Sequence, residues 1–182
     1  MFVAIELPAA IKAQLAGLSG GVPGARWVAP ENLHLTLRFI GEADGALIQD
    51  IGEALAGVEA APFELRVRGV GSFGQRRRVR QLWAGVEAGP MLDQLQRRVE
   101  AGLAALGLEP ERRKFHAHVT LARLKGASLE RVGDFLASHN LFASEPFAVD
   151  SFALFSSLLS RNAAIYCAEA SFPLRLGEPG LA

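Results

Sequence analysis

Leu33-His34-Leu35-Thr36-Leu37-Arg38-Phe39-Ile40 is the stretch from which the fold can be read. Leu33, Leu35, Leu37 and Phe39 fall on one side of a period of two, and His34, Thr36 and Arg38 on the other. That alternation predicts a strand with one face covered by a core. The stretch has a second copy. His34-Leu35-Thr36-Leu37 returns as His118-Val119-Thr120-Leu121, 84 positions later, and Pro62-Phe63 returns as Pro146-Phe147 at the same spacing. The helix-opening prolines, Pro8 and Pro90, stand 82 apart. Three matches in one order at nearly one offset indicate a duplicated lobe; two copies of this length do not make a solenoid.

The segments around the copies read in the same order. Phe2–Leu7 is a strand, and Ile11, Leu15 and Leu18 recur at helical spacing after Pro8. Gly21–Pro30 is a loop holding Trp27. Ala46–Val58 is a helix, Phe63–Val70 a strand, Gly71–Arg78 a glycine- and arginine-rich turn, and Val79–Val86 a strand. Pro90 opens a helix to Leu106, which Gly107 closes. Ala117–Leu124 is a strand, Leu129–Ser138 a helix, and Phe147–Ser156 and Ala163–Glu169 are strands. The expected architecture is α+β and bilobal: two pseudo-twofold-related antiparallel sheets, helices on the outside, a central cleft. Residues 1–182 are expected to form one two-lobed domain.

Composition bounds the function. The 182 residues carry 19 Lys+Arg against 19 Asp+Glu. A protein that coats nucleic acid needs many unopposed cations, so that class is excluded while a local basic pocket is not. The lone cysteine, Cys167, makes no intrachain disulfide, which suits a reducing, cytoplasmic setting. Glu6 interrupts what would be a signal-peptide core, and no apolar run is long enough to span a membrane.

In a strand, residues two apart share a face, so His34 with Thr36, and His118 with Thr120, point away from the core. If a twofold relates the lobes, both pairs enter one cleft. Two imidazoles with ordinary pKa values of ~6.5 can then serve as general acid and general base near neutrality, each contributing ~10²–10⁴-fold. The Thr36 and Thr120 hydroxyls can donate to the oxygens of a phosphate between them. A lone His-x-Thr on a strand is most often a plain polar face; two at equivalent points of a repeat favour a site. Such a site needs no cofactor and no metal. The His116-Ala117-His118 stretch offers two imidazoles without a further ligand at metal spacing.

Beyond these motifs, the chain resembles the LigT-type two-histidine phosphoesterases, the bacterial RNA 2′,3′-cyclic phosphodiesterases also called 2′-5′ RNA ligases. The likeness runs from Phe2 to Leu174 and rests on Phe2–Ile5, Arg26–Gly41, Gly69–Phe73, His118–Arg123 and Phe172–Leu174. Where the family usually has proline before its second motif histidine, this chain has Ala117. The resemblance implies metal-independent hydrolysis of RNA 2′,3′-cyclic phosphate ends to a 2′-phosphate, and reversible ligation without ATP. It implies His34 as proton donor to the departing 3′ oxygen, His118 as proton acceptor from water, and Arg123 on the phosphate. The expected partner is RNA bearing such an end, tRNA halves included; the expected state is a cytoplasmic monomer.

Two basic clusters, Arg76-Arg77-Arg78 with Arg80 and Arg112-Arg113-Lys114, occupy expected loops near the cleft mouth. Arg76, Arg78 and Arg113 are candidates to track an RNA backbone. Trp27 and Phe73 are candidates to stack on a base, and Tyr166 also; Phe39 falls on the core side by alternation. Cys167 reads as a small apolar filler, His139 as a solvated helix end, and Ser156-Ser157 as no nucleophile. Two rival functions stand beside the main one. One is a cyclic phosphodiesterase for a small nucleotide or an ADP-ribose cyclic phosphate. The other is a non-catalytic module that grips RNA ends, for which two titrating histidines have no purpose.

Overall fold

The repeat written in the sequence is also the symmetry of the backbone. The computed structural model describes residues 1–75, 78–87, 89–159 and 164–175. The first part of the chain begins with β1 (Phe2–Glu6), α1 (Ala9–Ala16), β2 (Ala25–Trp27), one 3₁₀ turn (Pro30–Asn32) and β3 (His34–Phe39). It continues through α2 (Gly45–Ala56), β4 (Phe63–Leu65), β5 (Val67–Gln75) and β6 (Arg78–Val86). The second part holds α3 (Pro90–Ala105), β7 (His118–Leu124), α4 (Leu129–His139), β8 (Phe147–Val149), β9 (Ser151–Leu159) and β10 (Ala164–Pro173).

Two antiparallel sheets result. The large one runs β10-β9-β1-β3-β7-β6-β5, with β2 added beside β7; the small one is β4-β8. Between β3 and β7 the pairing is Leu35 with Val119. Between β4 and β8 the middle pair is Glu64 with Ala148. Both pairs join residues 84 positions apart, so the pseudo-twofold passes through each sheet at a junction of repeat-equivalent residues. The β9-β1-β3 half corresponds to β5-β6-β7.

Local chemistry explains the elements. Asp44 caps α2, its carboxylate accepting from the Leu47 amide at 2.9 Å. Pro90 occupies the first turn of α3, where its missing N–H costs nothing. The helices lay Ile11, Leu15, Ile51, Leu55, Leu92, Leu95, Val99 and Leu103 against Leu35, Leu37, Leu82, Val119 and Leu121 of the sheet in one continuous core. The opposite face of the sheet is left to the histidines and threonines. Among the described residues, no helix is long and apolar enough to cross a membrane.

Several sequence expectations change. The expected strand Phe63–Val70 is two strands, β4 and β5, and β5 runs through the expected glycine turn to Gln75. Those glycines serve close approach rather than a turn: a Cβ on Gly71 would lie 2.2 Å from the Trp83 ring, and one on Gly74 would lie 2.3 Å from the Arg78 carbonyl. The matching expectation Phe147–Ser156 likewise divides into β8 and β9. The short strand β2 lies inside the expected loop. Ala163 lies outside the described residues, and β10 starts at Ala164.

Each motif strand carries a bulge at the same repeat position. Ala4 pairs with Thr36 and Val3 with Arg38, leaving Leu37 extra; Trp83 pairs with Thr120 and Leu82 with Ala122, leaving Leu121 extra. One extra residue reverses the alternation beyond it. Arg38 therefore leaves the histidine face: its side chain is only 10% exposed and pairs with Glu100 of α3 at 3.1 Å. Phe39, expected in the core, is 59% exposed. Ala122 is buried, and Arg123 joins the face of His118 and Thr120.

Candidate active site

A cleft of about 650 Å³ opens on the polar face of the large sheet. Thr36, His118, Thr120 and Arg123 line it, with Phe39, Phe73, Gln81 and His116. Arg80, Arg113 and Lys114 bring cations to the same cleft, and Glu111 one carboxylate. The Leu35–Val119 register sets His34 across from Thr120 and Thr36 across from His118. The two motifs thus meet side by side.

Both imidazoles are held alike. His34 Nδ1 lies 2.7 Å from the Asn32 carbonyl, and His118 Nδ1 lies 2.6 Å from the His116 carbonyl. A carbonyl only accepts, so Nδ1 carries the hydrogen in each ring and Nε2 is left for proton exchange. Burial pushes both pKa values below the ordinary histidine value, and the hydrogen bonds to the two carbonyls oppose that shift. Positive charge on Lys12 and on His118 lowers His34 further, while His116 does the same to His118.

Aromatic rings fix the histidines. Phe2 stacks on His34 at 4.7 Å, and Tyr166 meets it edge-on at 5.3 Å. Phe73 meets His118 edge-on at 4.9 Å, and Trp83 lies 4.9 Å from His116. Ala4 stands where the other half has Trp83, while Phe155, paired with Phe2, and Phe73, paired with Gln81, place an aromatic ring at one position of both halves. Other pseudo-symmetric positions exchange polarity. Phe2 and Phe39 in the first half correspond to Gln81 and Arg123 in the second. His34 is thus enclosed by Phe2, Phe155 and Tyr166 and is not itself among the residues lining the cleft, whereas the His118 side combines the Phe73 and Trp83 rings with the polar Gln81 and the cationic Arg123.

Other predicted residues lie as follows. Trp27 is not among the cleft residues: its ring packs 5.6 Å from Phe135 of α4, because β2 adds to the free edge of β7 and turns the indole toward that helix. Tyr166 touches His34 from β10 rather than lining the cleft. Arg78 is exposed at the start of β6, outside the lining. Arg76 and Arg77 lie outside the described residues. Arg112 is exposed beside Glu109. Cys167 is exposed on the edge strand β10, not a filler. His139 is half-buried, its Nδ1 donating to the Phe135 carbonyl at 2.9 Å. Among the described residues, no group of three or more His, Cys, Asp or Glu side chains could hold a metal ion.

Sequence reasoning passed over Phe2 and Gln81. Their signal is the pairing of β1 with β3 and of β6 with β7, which brings each beside the fifth residue after a motif histidine.

Comparison with known proteins gives one consistent result. The model of the family described as LigT like Phosphoesterase matches residues 5–83 and 86–166, one segment per repeat. An Aeropyrum pernix protein named RNA 2′,3′-cyclic phosphodiesterase is 39% identical over 148 residues, covering 80% of this chain and 84% of the relative. A crystal structure from Thermus thermophilus superposes with a TM-score of 0.79 at 27% identity, over 97% of this chain and 98% of the other. The crystal structure of E. coli LigT complexed with 3′-AMP gives 0.76 at 28% identity, over 95% and 96%.

Proposed function

Since the chain belongs to the LigT-like phosphoesterase family, we propose that it hydrolyses RNA 2′,3′-cyclic phosphate ends to 2′-phosphates by proton transfer between two histidines. The observation that carries this reading is the matched pair of imidazoles. His34 and His118 stand at one position of two repeats, each with Nδ1 bound to the carbonyl two residues earlier. In both rings Nε2 is therefore the nitrogen left for proton exchange.

The difference between the two half-sites supports one assignment of the roles. The nucleoside lies near Phe39 and His34, and the phosphate reaches toward Thr120 and Arg123. With the 3′ oxygen as the leaving group and the 2′ oxygen kept on phosphorus, the 3′ oxygen departs toward His34. Water then attacks phosphorus from the His118 side, and His118 Nε2 takes its proton as the new P–O bond forms. The P–O3′ bond breaks, and His34 Nε2 delivers its proton to the 3′ oxygen. The phosphate's negative charge favours the protonated form of His34, offsetting the effect of burial. Thr36, Thr120 and Arg123 hold the non-bridging oxygens as charge shifts among them. The residues supply both proton transfers, so the step needs neither metal nor ATP. With a 5′-hydroxyl attacking in place of water, the same P–O3′ cleavage makes a 2′-5′ bond; read backwards, that step cleaves the bond and restores the cyclic phosphate. RNA carrying such an end, tRNA halves among them, is the proposed substrate.

The test is turnover of a nucleoside 2′,3′-cyclic phosphate in EDTA, with the product identified. A 2′-phosphate is expected, and His34→Ala and His118→Ala should each lower kcat by about 10²–10⁴-fold. A 3′-phosphate product, or near-normal turnover in either variant, overturns the mechanism.

A further inference from the structure

Gln81 stands where the pseudo-twofold puts Phe2 in the other half. Each pairs with the fifth residue after its motif histidine, Phe2 with Phe39 and Gln81 with Arg123. Phe2 offers His34 a ring face; Gln81 offers its half-site an amide. The amide nitrogen lies 2.7 Å from Thr120 Oγ1 and 3.4 Å from His118 Nε2. It has two hydrogens and accepts nothing, so both contacts run outward from Gln81. A hydroxyl that accepts from an amide keeps its own hydrogen for another partner. Thr120 lines the cleft, so that hydrogen is available to a bound anion. The Nδ1 hydrogen of His118 is already given to the His116 carbonyl, so Nε2 presents a lone pair to the second amide hydrogen. At 3.4 Å that second contact is weak and yields readily to water.

We propose that Gln81 is a positioning residue of the second half-site: it holds Thr120 as an acceptor, so that the hydroxyl hydrogen goes to a phosphoryl oxygen, and it steadies His118 with the Nε2 lone pair turned into the cleft. This rests on the phosphodiesterase reading. Gln81 acts through Thr120 and His118, not on the reacting atoms. Phe2 has no donor, so the first half-site lacks this control and the two threonines are not equivalent.

The experiment separates this inference from the reading beneath it. Wild-type protein is first assayed with a nucleoside 2′,3′-cyclic phosphate; absence of turnover counts against the phosphodiesterase reading, whatever Gln81 does. With turnover established, Gln81→Leu, Thr120→Val and the double variant are compared. Gln81→Leu should lower kcat about tenfold, and the double variant should lie within about twofold of Thr120→Val alone, because coupled residues are not additive. Gln81→Glu is the electrostatic probe. Its carboxylate accepts the Thr120 hydrogen and favours the imidazolium of His118, so the acid limb of the kcat/KM profile should rise by about one pH unit. The His118 resonance should titrate correspondingly higher by NMR while His34 moves little, a readout that needs no turnover. If Gln81→Leu does not fold, Gln81→Asn keeps the amide but shortens its reach, and the same kcat loss is expected. Independent, multiplying losses in the double variant, wild-type turnover in Gln81→Leu or Gln81→Asn, or an unshifted profile in Gln81→Glu overturns the inference.

Discussion

Leu35 pairs with Val119 across the seam of the large sheet, and the two are the same position of the two repeats. Both are fully buried. Each is one residue from its motif histidine, so the packing that closes the seam also sets the relation of the two imidazoles. Leu35→Ala should cost about 2–5 kcal/mol of stability, from lost burial plus the cavity left behind. It should also lower kcat at temperatures where the protein stays folded. Leu103→Ala, in α3 and equally buried, is the control: a similar loss of stability by urea unfolding with kcat retained. Equal effects of both on kcat would show that the seam has no special role.

The two lowered histidine pKa values determine the pH response. His118 must be neutral to act as base, so kcat/KM falls as pH drops through its pKa, which lies below 6.5. His34 must be protonated to act as acid, so kcat/KM falls again as pH rises through its own, also below 6.5. The bell should centre on the acid side of 6.5, its two limbs belonging to the coupled pair. A bound phosphodiester favours imidazolium, so the kcat profile should lie at higher pH than that of kcat/KM. Steady-state kinetics from about pH 4.5 to 9 checks both; a kcat/KM bell centred well above about 7 contradicts them.

The same shifts couple pH to folding. The unfolded chain returns both imidazoles to about 6.5 and so binds more protons than the native state just below that pH. Stability should therefore decline as pH falls through about 6.5 and past the lower native values. His34→Gln with His118→Gln should lose less between about pH 7.5 and 5 than the parent does, measured by urea denaturation. Identical losses would mean that these histidines do not contribute.

The motif, the repeat and the strand-helix order were legible because alternation and spacing are local properties of sequence. His34-Leu35-Thr36-Leu37 states both its period and its buried face. What lay beyond reach was the bulge at Leu37 and at Leu121, since one extra residue on one strand leaves no periodic trace. That bulge moved Phe39 out of the core and Arg38 into its pairing with Glu100. It also explains why an arginine three residues after Thr120 can share its face. Gln81 was hidden for another reason: its role depends on which strand lies beside β7. Gly71 read as a turn because the Trp83 ring packed against it is contributed by the neighbouring strand, β6.

Phe39 and Arg123 occupy one repeat position with opposite chemistry, and each should affect a different part of the substrate. Phe39→Ala removes an exposed ring whose stacking on a base is worth about 1–3 kcal/mol, or roughly 5–150-fold in affinity. It should weaken a nucleoside 2′-phosphate and leave inhibition by inorganic phosphate unchanged. Arg123→Ala should weaken both, since it removes charge facing the anion. Competitive inhibition constants for the two ligands provide the comparison; loss of phosphate affinity in Phe39→Ala would mean that its ring supports the fold of the site instead.

Arg80, Arg113 and Lys114 line the cleft beyond Arg123, and their charge is opposed there by Glu111. The chain's overall charge is balanced, so backbone affinity must come from such local excess. A mononucleotide cyclic phosphate ends at the two histidines and has no further phosphates to meet these cations. Reversing Arg113 and Lys114 to glutamate should therefore raise KM for an oligonucleotide ending in a cyclic phosphate while leaving the mononucleotide nearly unaffected. The salt dependence should follow. Each lost phosphate contact lowers the slope of log affinity against log salt by about 0.7 for single-stranded RNA. Oligonucleotide KM measured from about 50 to 300 mM salt should show a shallower slope in the variant. Equal loss on both substrates, with an unchanged slope, would place these residues in support of the site and not along the RNA.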